Sequence, residues 1–197
     1  MEEKFEALVQ GIVEHNYATL PNFFSEELIA GLRNNLHHRY EWGLMHPAGV
    51  GKQATYQKNL KVRGDVISWI DENDPDEYEQ AFFDIIQSFY QYLNRTCYTG
   101  INGFEFHYAL YETGSFYKRH LDQFQHDRGR RFSVVTYLND DWSAADGGQL
   151  ILYLGHEEKI ILPEGGRVVF FKADAIEHEV KLASKDRMSI PGWLLSL

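Results

Sequence analysis

The chain has 197 residues, with 19 Lys and Arg against 29 Asp and Glu for a formal charge of −10, and it is 44% hydrophobic and 15% aromatic. That length and apolar content suit one domain with a sizeable core and exclude a largely disordered chain, while the acidic balance argues against broad nucleic-acid or anionic-membrane binding. A lone cysteine, Cys97, permits neither an internal disulfide nor a CxxC zinc or redox site, so a reducing compartment is expected and any metal must be held by His and carboxylates.

The first residues are acidic where a secretory leader would be basic, and no apolar run approaches the roughly 18 residues of a membrane span, so a cytoplasmic protein is expected. Phe5, Leu8, Val9, Ile12 and Val13 recur at helical spacing up to a break at Leu20-Pro21-Asn22. Ser25 is a good N-cap for a second helix, with Glu26 and Glu27 in its first turn and Leu28, Ile29, Leu32 and Leu36 as its apolar stripe, ending near Tyr40. Residues 45–57 turn to Gly, Pro, Ala and polar types without a period and read as a loop. A third helix follows Asp74-Pro75, with Pro75 in its first turn and Tyr78, Phe82, Ile85, Ile86, Phe89 and Leu93 in period up to about Arg95.

From Gly103 the pattern changes to short apolar or alternating runs separated by turn clusters: 104–111, 116–122, 131–139, 149–154, 159–162, 166–172, 178–182 and 187–197. About eight strands with Gly, Asp and Asn turns predict a mainly β fold, a double-sheet jelly roll or barrel, with the N-terminal helices covering one face. Residues 1–197 read as a single domain, 1–100 mainly helical support and 101–197 the strand-rich core.

Within that core lie His120 and Asp122, with His178 56 residues downstream. Residues i and i+2 of a strand point to one side, so His120 and Asp122 can offer a nitrogen and a carboxylate to one ion. His178 from a neighbouring strand would complete two His and one carboxylate on one face of a metal, the facial triad that leaves positions open on non-haem Fe(II). With nine His and twelve Asp, about half an HxD match is expected by chance, so the neighbours matter. Arg187 lies nine residues after His178, and a turn at Ala183–Asp186 would fold its strand back beside that of His178. Its guanidinium could grip a dicarboxylate such as 2-oxoglutarate in bidentate fashion, or form a surface salt bridge. Tyr137 could donate to the same carboxylate or serve as a core aromatic.

These residues, with Arg63-Gly-Asp65 and Trp69, Tyr111-x-x-Gly114-x-x-Tyr117, Tyr137-Leu-Asn139 and Trp142, Gly147-Gly148-x-Leu150, Phe170-Phe171, His178-Glu-Val180, Arg187-Met-Ser189 and Trp193, resemble the Fe(II)/2-oxoglutarate-dependent dioxygenases of the prolyl 4-hydroxylase superfamily. The narrower likeness, from about Leu20 to the C-terminus, is to the hypoxia-inducible-factor prolyl hydroxylases and their bacterial relatives. The resemblance implies a double-stranded β-helix with Fe(II) held by His120, Asp122 and His178, and with 2-oxoglutarate and O2 as cosubstrates. It implies that Arg187 and Tyr137 bind the distal carboxylate of 2-oxoglutarate, with Tyr111 near the chelating end and Leu150 and Val180 lining the pocket. Asp65, Trp69, Tyr117, Arg130 and Trp193 would surround a peptide cleft, Asp65 and Arg130 forming a pair that fixes its wall. The implied reaction hydroxylates a prolyl residue of a protein, releasing succinate and CO2.

Two segments depart from the pattern: residues 43–61, which match in position a mobile loop covering the substrate in the animal enzymes, and residues 123–129, which would edge the same cleft. The same chemistry on a free amino acid, a small metabolite or a nucleobase stays open, as does a non-catalytic metal-binding sensing module; Trp193, where DNA-dealkylating relatives carry a second Arg, disfavours the nucleobase. His156-Glu-Glu158 reads as a solvated hairpin tip and His37-His38 as exposed, while Gly147-Gly148 and Gly165-Gly166 lack the helix and Lys-Ser/Thr of a phosphate loop. Cys97 has no evident catalytic partner.

Overall fold

The structure is a computed structural model that describes residues 1–49, 62–123 and 129–196. Three helices, α1 (Glu2–His15), α2 (Glu26–Glu41) and α3 (Glu77–Cys97), pack on a two-sheet β core. The larger sheet has seven strands in the order β1 (Tyr17–Leu20), β9 (Val168–Lys172), β6 (Arg130–Tyr137), β11 (Arg187–Leu195), β4 (Gly103–Tyr111), β3 (Asp65–Trp69) and β2 (His46–Pro47). The smaller has four, β5 (Tyr117–His120), β10 (Glu177–Val180), β7 (Leu150–Leu154) and β8 (Glu157–Ile161), and every strand pair in both sheets is antiparallel. Among the described residues no helix is long and apolar enough to cross a membrane.

The period-two alternation of the central strands divides the core into two compartments. Phe106, Tyr108 and Leu110 of β4, Val134 of β6 and Phe170 of β9 face the helices, where they meet Phe5, Leu32, Phe82, Ile86 and Phe89. Ala109 and Tyr111, Tyr137, Val169 and Phe171 face the other way and pack on Leu150, Leu152 and Val180 of the smaller sheet. Gly192 lets β11 approach β4, since a Cβ there would lie 2.1 Å from the Phe106 ring and 2.4 Å from the Glu105 carbonyl.

All eight expected strands are present, each within a few residues of its predicted ends. Ser25 caps α2 by accepting from Leu28 N at 3.2 Å. Three expectations change. Asp76, accepting from the backbone of Tyr78 and Glu79, is the N-cap of α3, so Pro75 precedes the helix and does not sit in its first turn. Val13 is 77% exposed because the buried face of α1 is Phe5, Leu8 and Ile12. Three strands, β1, β2 and β3, lie in the half read as helix and loop, and all are added to edges of the larger sheet. Within the expected loop 43–61, His46–Pro47 pair with β3, and residues 50–61 lie outside the described ones.

A buried ionic network ties the helices to β3 and β4. Glu79, 1% exposed, accepts from Arg39 at 3.0 and 3.1 Å and from the Tyr108 hydroxyl at 2.9 Å. Arg39 also donates to Ser68 Oγ and to the Trp69 carbonyl, each at 3.2 Å, so α2 holds the end of β3 that presents Trp69.

Candidate metal centre and adjoining carboxylate pocket

Three elements bring the triad together. β5 and β10 pair so that His120 and His178 stand opposite each other, their ring centroids 4.2 Å apart. Asp122 lies in a bend two residues past the end of β5, so strand alternation is not what aims it. Its aim comes from β6, where the Ser133 hydroxyl donates to Oδ2 at 2.6 Å and leaves Oδ1 turned to the imidazoles, 3.5 Å from His120 Nε2 and 3.6 Å from His178 Nε2. Ligand atoms of all three residues lie within 4.8 Å of one another.

The tautomers follow from the backbone. A carbonyl can only accept, so Nδ1 of His120 donates to the Lys118 carbonyl at 2.7 Å and Nδ1 of His178 to that of Ile176 at 3.2 Å. Both Nε2 lone pairs are thereby directed at the shared point, the arrangement that orients metal-bound imidazoles. Burial pushes the His178 imidazole down to about 4, against the opposing pull of the Asp122 carboxylate. For Asp122, burial would raise the carboxyl, but His178, His120 and the Ser133 hydroxyl together hold it well below the usual carboxylate range. A neutral His178 imidazole beside an ionised Asp122 carboxylate is the ligand form a divalent metal requires. The donor set therefore fits Fe(II).

Arg187 opens β11 directly opposite Tyr111 and is 2% exposed. Its strand pairs with β4 and β6 in the larger sheet, whereas His178 stands on β10 of the smaller one, so the turn after Ala183 carries the chain across to the other sheet and does not fold it back beside His178. Nε donates to the Gly148 carbonyl at 2.9 Å and Nη1 to Ser189 Oγ at 3.4 Å. The rings of Tyr111 and Tyr137 each lie 5.0 Å from the guanidinium carbon. The Tyr137 hydroxyl is buried with no hydrogen-bond partner among the described residues; burial raises its pKa and the nearby Arg187 charge opposes that rise. A buried cation beside an orphaned donor, walled by Leu150 and Val180, suits the terminal carboxylate of 2-oxoglutarate. Gly148 has φ +66°, and a Cβ there would press on Trp142 at 2.9 Å and on Arg187 Cδ at 3.2 Å, so glycine at this position leaves the guanidinium its place.

The five expected cleft residues distribute differently. Trp69 is half exposed at the end of β3, 6.5 Å from the Trp193 ring. Tyr117 stacks flat on His120 at 3.6 Å, against the metal ligand itself. Asp65 and Arg130 do not pair. Asp65 is bound by Arg63, which donates to Oδ1 at 2.7 Å and lies 4.3 Å over the Tyr117 ring. Arg130 is bound by Glu105 at 2.8 Å and lies 3.4 Å over the Trp193 ring. Register explains the separation: Asp65 is level with Tyr111 and Trp193 with Glu105, six residues along β4, which is about 20 Å of strand. Residues 124–128, which were expected to edge the cleft beside Arg130, lie outside the described residues.

Ser133, Glu105 and His107 were not singled out from sequence, and Arg63 and Gly148 entered only as part of the resemblance, with no role assigned. Ser133 is legible in retrospect as the polar residue on the Tyr137 face of β6, and Glu105 and His107 as polar residues on the Tyr111 face of β4. Gly148 acts through its carbonyl, which side-chain patterns do not reveal. A cavity of about 230 Å³ beside Trp69, lined among others by Asp71, Glu72, Phe83 and Glu105, contains none of the triad residues.

The family model described as the 2OG-Fe(II) oxygenase superfamily matches residues 106–195. Among solved structures, a prolyl-4-hydroxylase from Pseudomonas putida is 31% identical, with a TM-score of 0.89, and the match covers 98% of this chain and 99% of that one. A prolyl hydroxylase from Trichoplax adhaerens, solved with a hypoxia inducible factor peptide fragment, is 25% identical at a TM-score of 0.88 and covers 99% of this chain and 90% of that one. Human Egl nine homolog 1 is 25% identical over 199 residues, which cover 95% of this chain and 46% of the relative, so the chain spans about half of that protein's length.

Proposed function

The chain belongs to the 2OG-Fe(II) oxygenase superfamily, and from that premise we propose that it hydroxylates a prolyl residue in a protein or peptide, consuming 2-oxoglutarate and O2 and releasing succinate and CO2. The observation that carries the proposal is the convergence of His120 Nε2, Asp122 Oδ1 and His178 Nε2 beside the buried Arg187 and Tyr137, in a chain that superposes end to end on a bacterial prolyl-4-hydroxylase.

His120, Asp122 and His178 would hold Fe(II). With 2-oxoglutarate and O2, the bound metal supplies the oxidising power to convert an unactivated C–H bond to C–OH. Ser133 fixes the Asp122 carboxylate, and the two backbone carbonyls fix the imidazoles, so the ligand set is arranged before the metal arrives. Arg187 and Tyr137 would bind the distal carboxylate, and Tyr111, Leu150 and Val180 would line the pocket and exclude water. Asp65, Tyr117, Arg130, Trp69 and Trp193 would shape the peptide cleft, with Asp65 braced by Arg63 and Arg130 by Glu105. The whole chain would act as one oxygenase domain. An exposed free thiol at Cys97 supports a cytoplasmic site of action.

Incubating proteome extract with the protein, Fe(II) and 2-oxoglutarate, and searching by mass spectrometry for one added oxygen on proline, tests the reading. Succinate without oxygen gain on proline would move the substrate to a small molecule. No succinate with any substrate would leave a metal-binding module.

A further inference from the structure

His107 lies at the centre of the inner sheet face, and nothing in the reaction as described above uses it. On β4 it shares a side with Ala109 and Tyr111, and it stands opposite Trp69 of β3. Its ring is 4.8 Å from the Trp69 ring and 5.6 Å from that of Trp193. It is 3% exposed, and among the described residues neither Nδ1 nor Nε2 has a hydrogen-bond partner; Nε1 of Trp193 is also a buried atom without one. Each such atom leaves its desolvation uncompensated, a cost that an apolar side chain of similar size would avoid. Three of them side by side call for a ligand.

We propose that His107 and the indole N–H of Trp193 form a main-chain docking point for the substrate, pairing with the N–H and C=O groups of an extended peptide beside the target residue. The inference rests on the polypeptide substrate proposed above. Burial first, then the charges of Arg63 and Arg130, push the His107 imidazole down to about 3, so the ring is neutral and presents one donor and one acceptor. An amide main chain carries the complementary acceptor and donor. The dock is also in the right place: Trp193 is directly opposite Ser133, the residue that binds Asp122, which puts the dock one side-chain layer from the metal ligands and at the far end of β11 from Arg187. Access runs through Trp69, whose half-exposed ring covers His107 and must swing aside as the peptide enters.

The test uses the full chain loaded with Fe(II) and 2-oxoglutarate under argon, and a pool of end-blocked heptapeptides with proline at the centre and varied flanks. Capture of the pool is compared for wild type, His107→Met, His107→Gln and Trp193→Phe, together with melting temperature. His107→Met removes both the donor and the acceptor and is expected to capture at least tenfold less, since one hydrogen bond alone is worth about tenfold. Trp193→Phe should also lose capture, and His107→Gln, which keeps a donor and an acceptor, should recover most of it. His107→Met should melt at or above the wild-type temperature, because an unpaired polar group has been replaced by an apolar one; a purely structural histidine would melt lower. Wild-type capture by both His107→Met and Trp193→Phe overturns the dock, and so does a wild-type protein that retains no peptide. Admitting oxygen then separates the two claims: His107-dependent capture without oxygen gain on proline removes the proposed reaction and keeps the dock.

Discussion

Ser133 and Asp122 share a 2.6 Å hydrogen bond that joins the two sheets at the metal centre, the hydroxyl on β6 of the larger sheet holding a carboxylate that follows β5 of the smaller one. Without that bond Oδ1 has no fixed direction, since Asp122 lies beyond the last residue of its strand. Ser133→Ala is therefore expected to lower divalent-metal affinity about tenfold, the lower end of the range for losing such an outer partner, with the fold retained. Titration with Mn(II) in place of iron measures this; unchanged affinity would mean that Asp122 is aimed by other contacts.

Arg187 reads a carboxylate with a planar fork, and a lysine keeps its charge but not its geometry. Arg187→Lys should raise the KM for 2-oxoglutarate by at least tenfold, and Arg187→Ala should abolish turnover, while metal binding to the triad is largely kept in both. Succinate formation against metal content separates the two effects. Gly148→Ala should act in the same direction, because the added methyl presses on Arg187 from a backbone position at φ +66° that favours glycine.

Removing Glu79 takes the buried carboxylate from Arg39, which keeps Ser68, the Trp69 carbonyl and Asp74, and from the buried Tyr108 hydroxyl. Glu79→Ala should cost about 3 kcal/mol, as for other broken buried pairs. At this chain length that is a fall of about 6–12 °C in melting temperature, readable by calorimetry. A change under 2 °C would show that the network adds little stability.

His107 and His178 are held at about 3 and about 4 in the folded chain, below the ordinary value of 6.5 that the unfolded chain restores. Between pH 6.5 and about 3–4 the unfolded chain therefore binds protons that the folded chain refuses, and the stability of the metal-free protein falls as pH drops through that window. Urea midpoints measured from pH 7 to pH 4 should decline steadily, and less steeply in His107→Met. A flat profile would mean that neither imidazole is held neutral.

Composition and spacing alone determined a good deal. The acidic, thiol-poor balance confined any metal site to His and carboxylates, and His120, Asp122, His178, Arg187 and Tyr137 stood out as candidates by type and spacing, which are local properties, while only the family resemblance joined them into one site. Helix faces and caps were legible for the same reason, as Ser25 shows. Short strands such as Asp65–Trp69 were not, since five residues become a strand only when a neighbour offers its free backbone groups.

Pairings across the core depended on tertiary structure alone. Asp65 and Arg130 look like partners in one dimension, but the register of β3, β4 and β11 puts them about 20 Å of strand apart and gives each a nearer counterion. Arg187 follows His178 by nine residues yet enters the opposite sheet, which is how one site obtains its metal ligands from one layer and its carboxylate clamp from the other. The unpaired nitrogens of His107 and Trp193 belong to the same class of fact. Burial without a partner is a property of everything that surrounds an atom, and a sequence fixes it only through the complete fold.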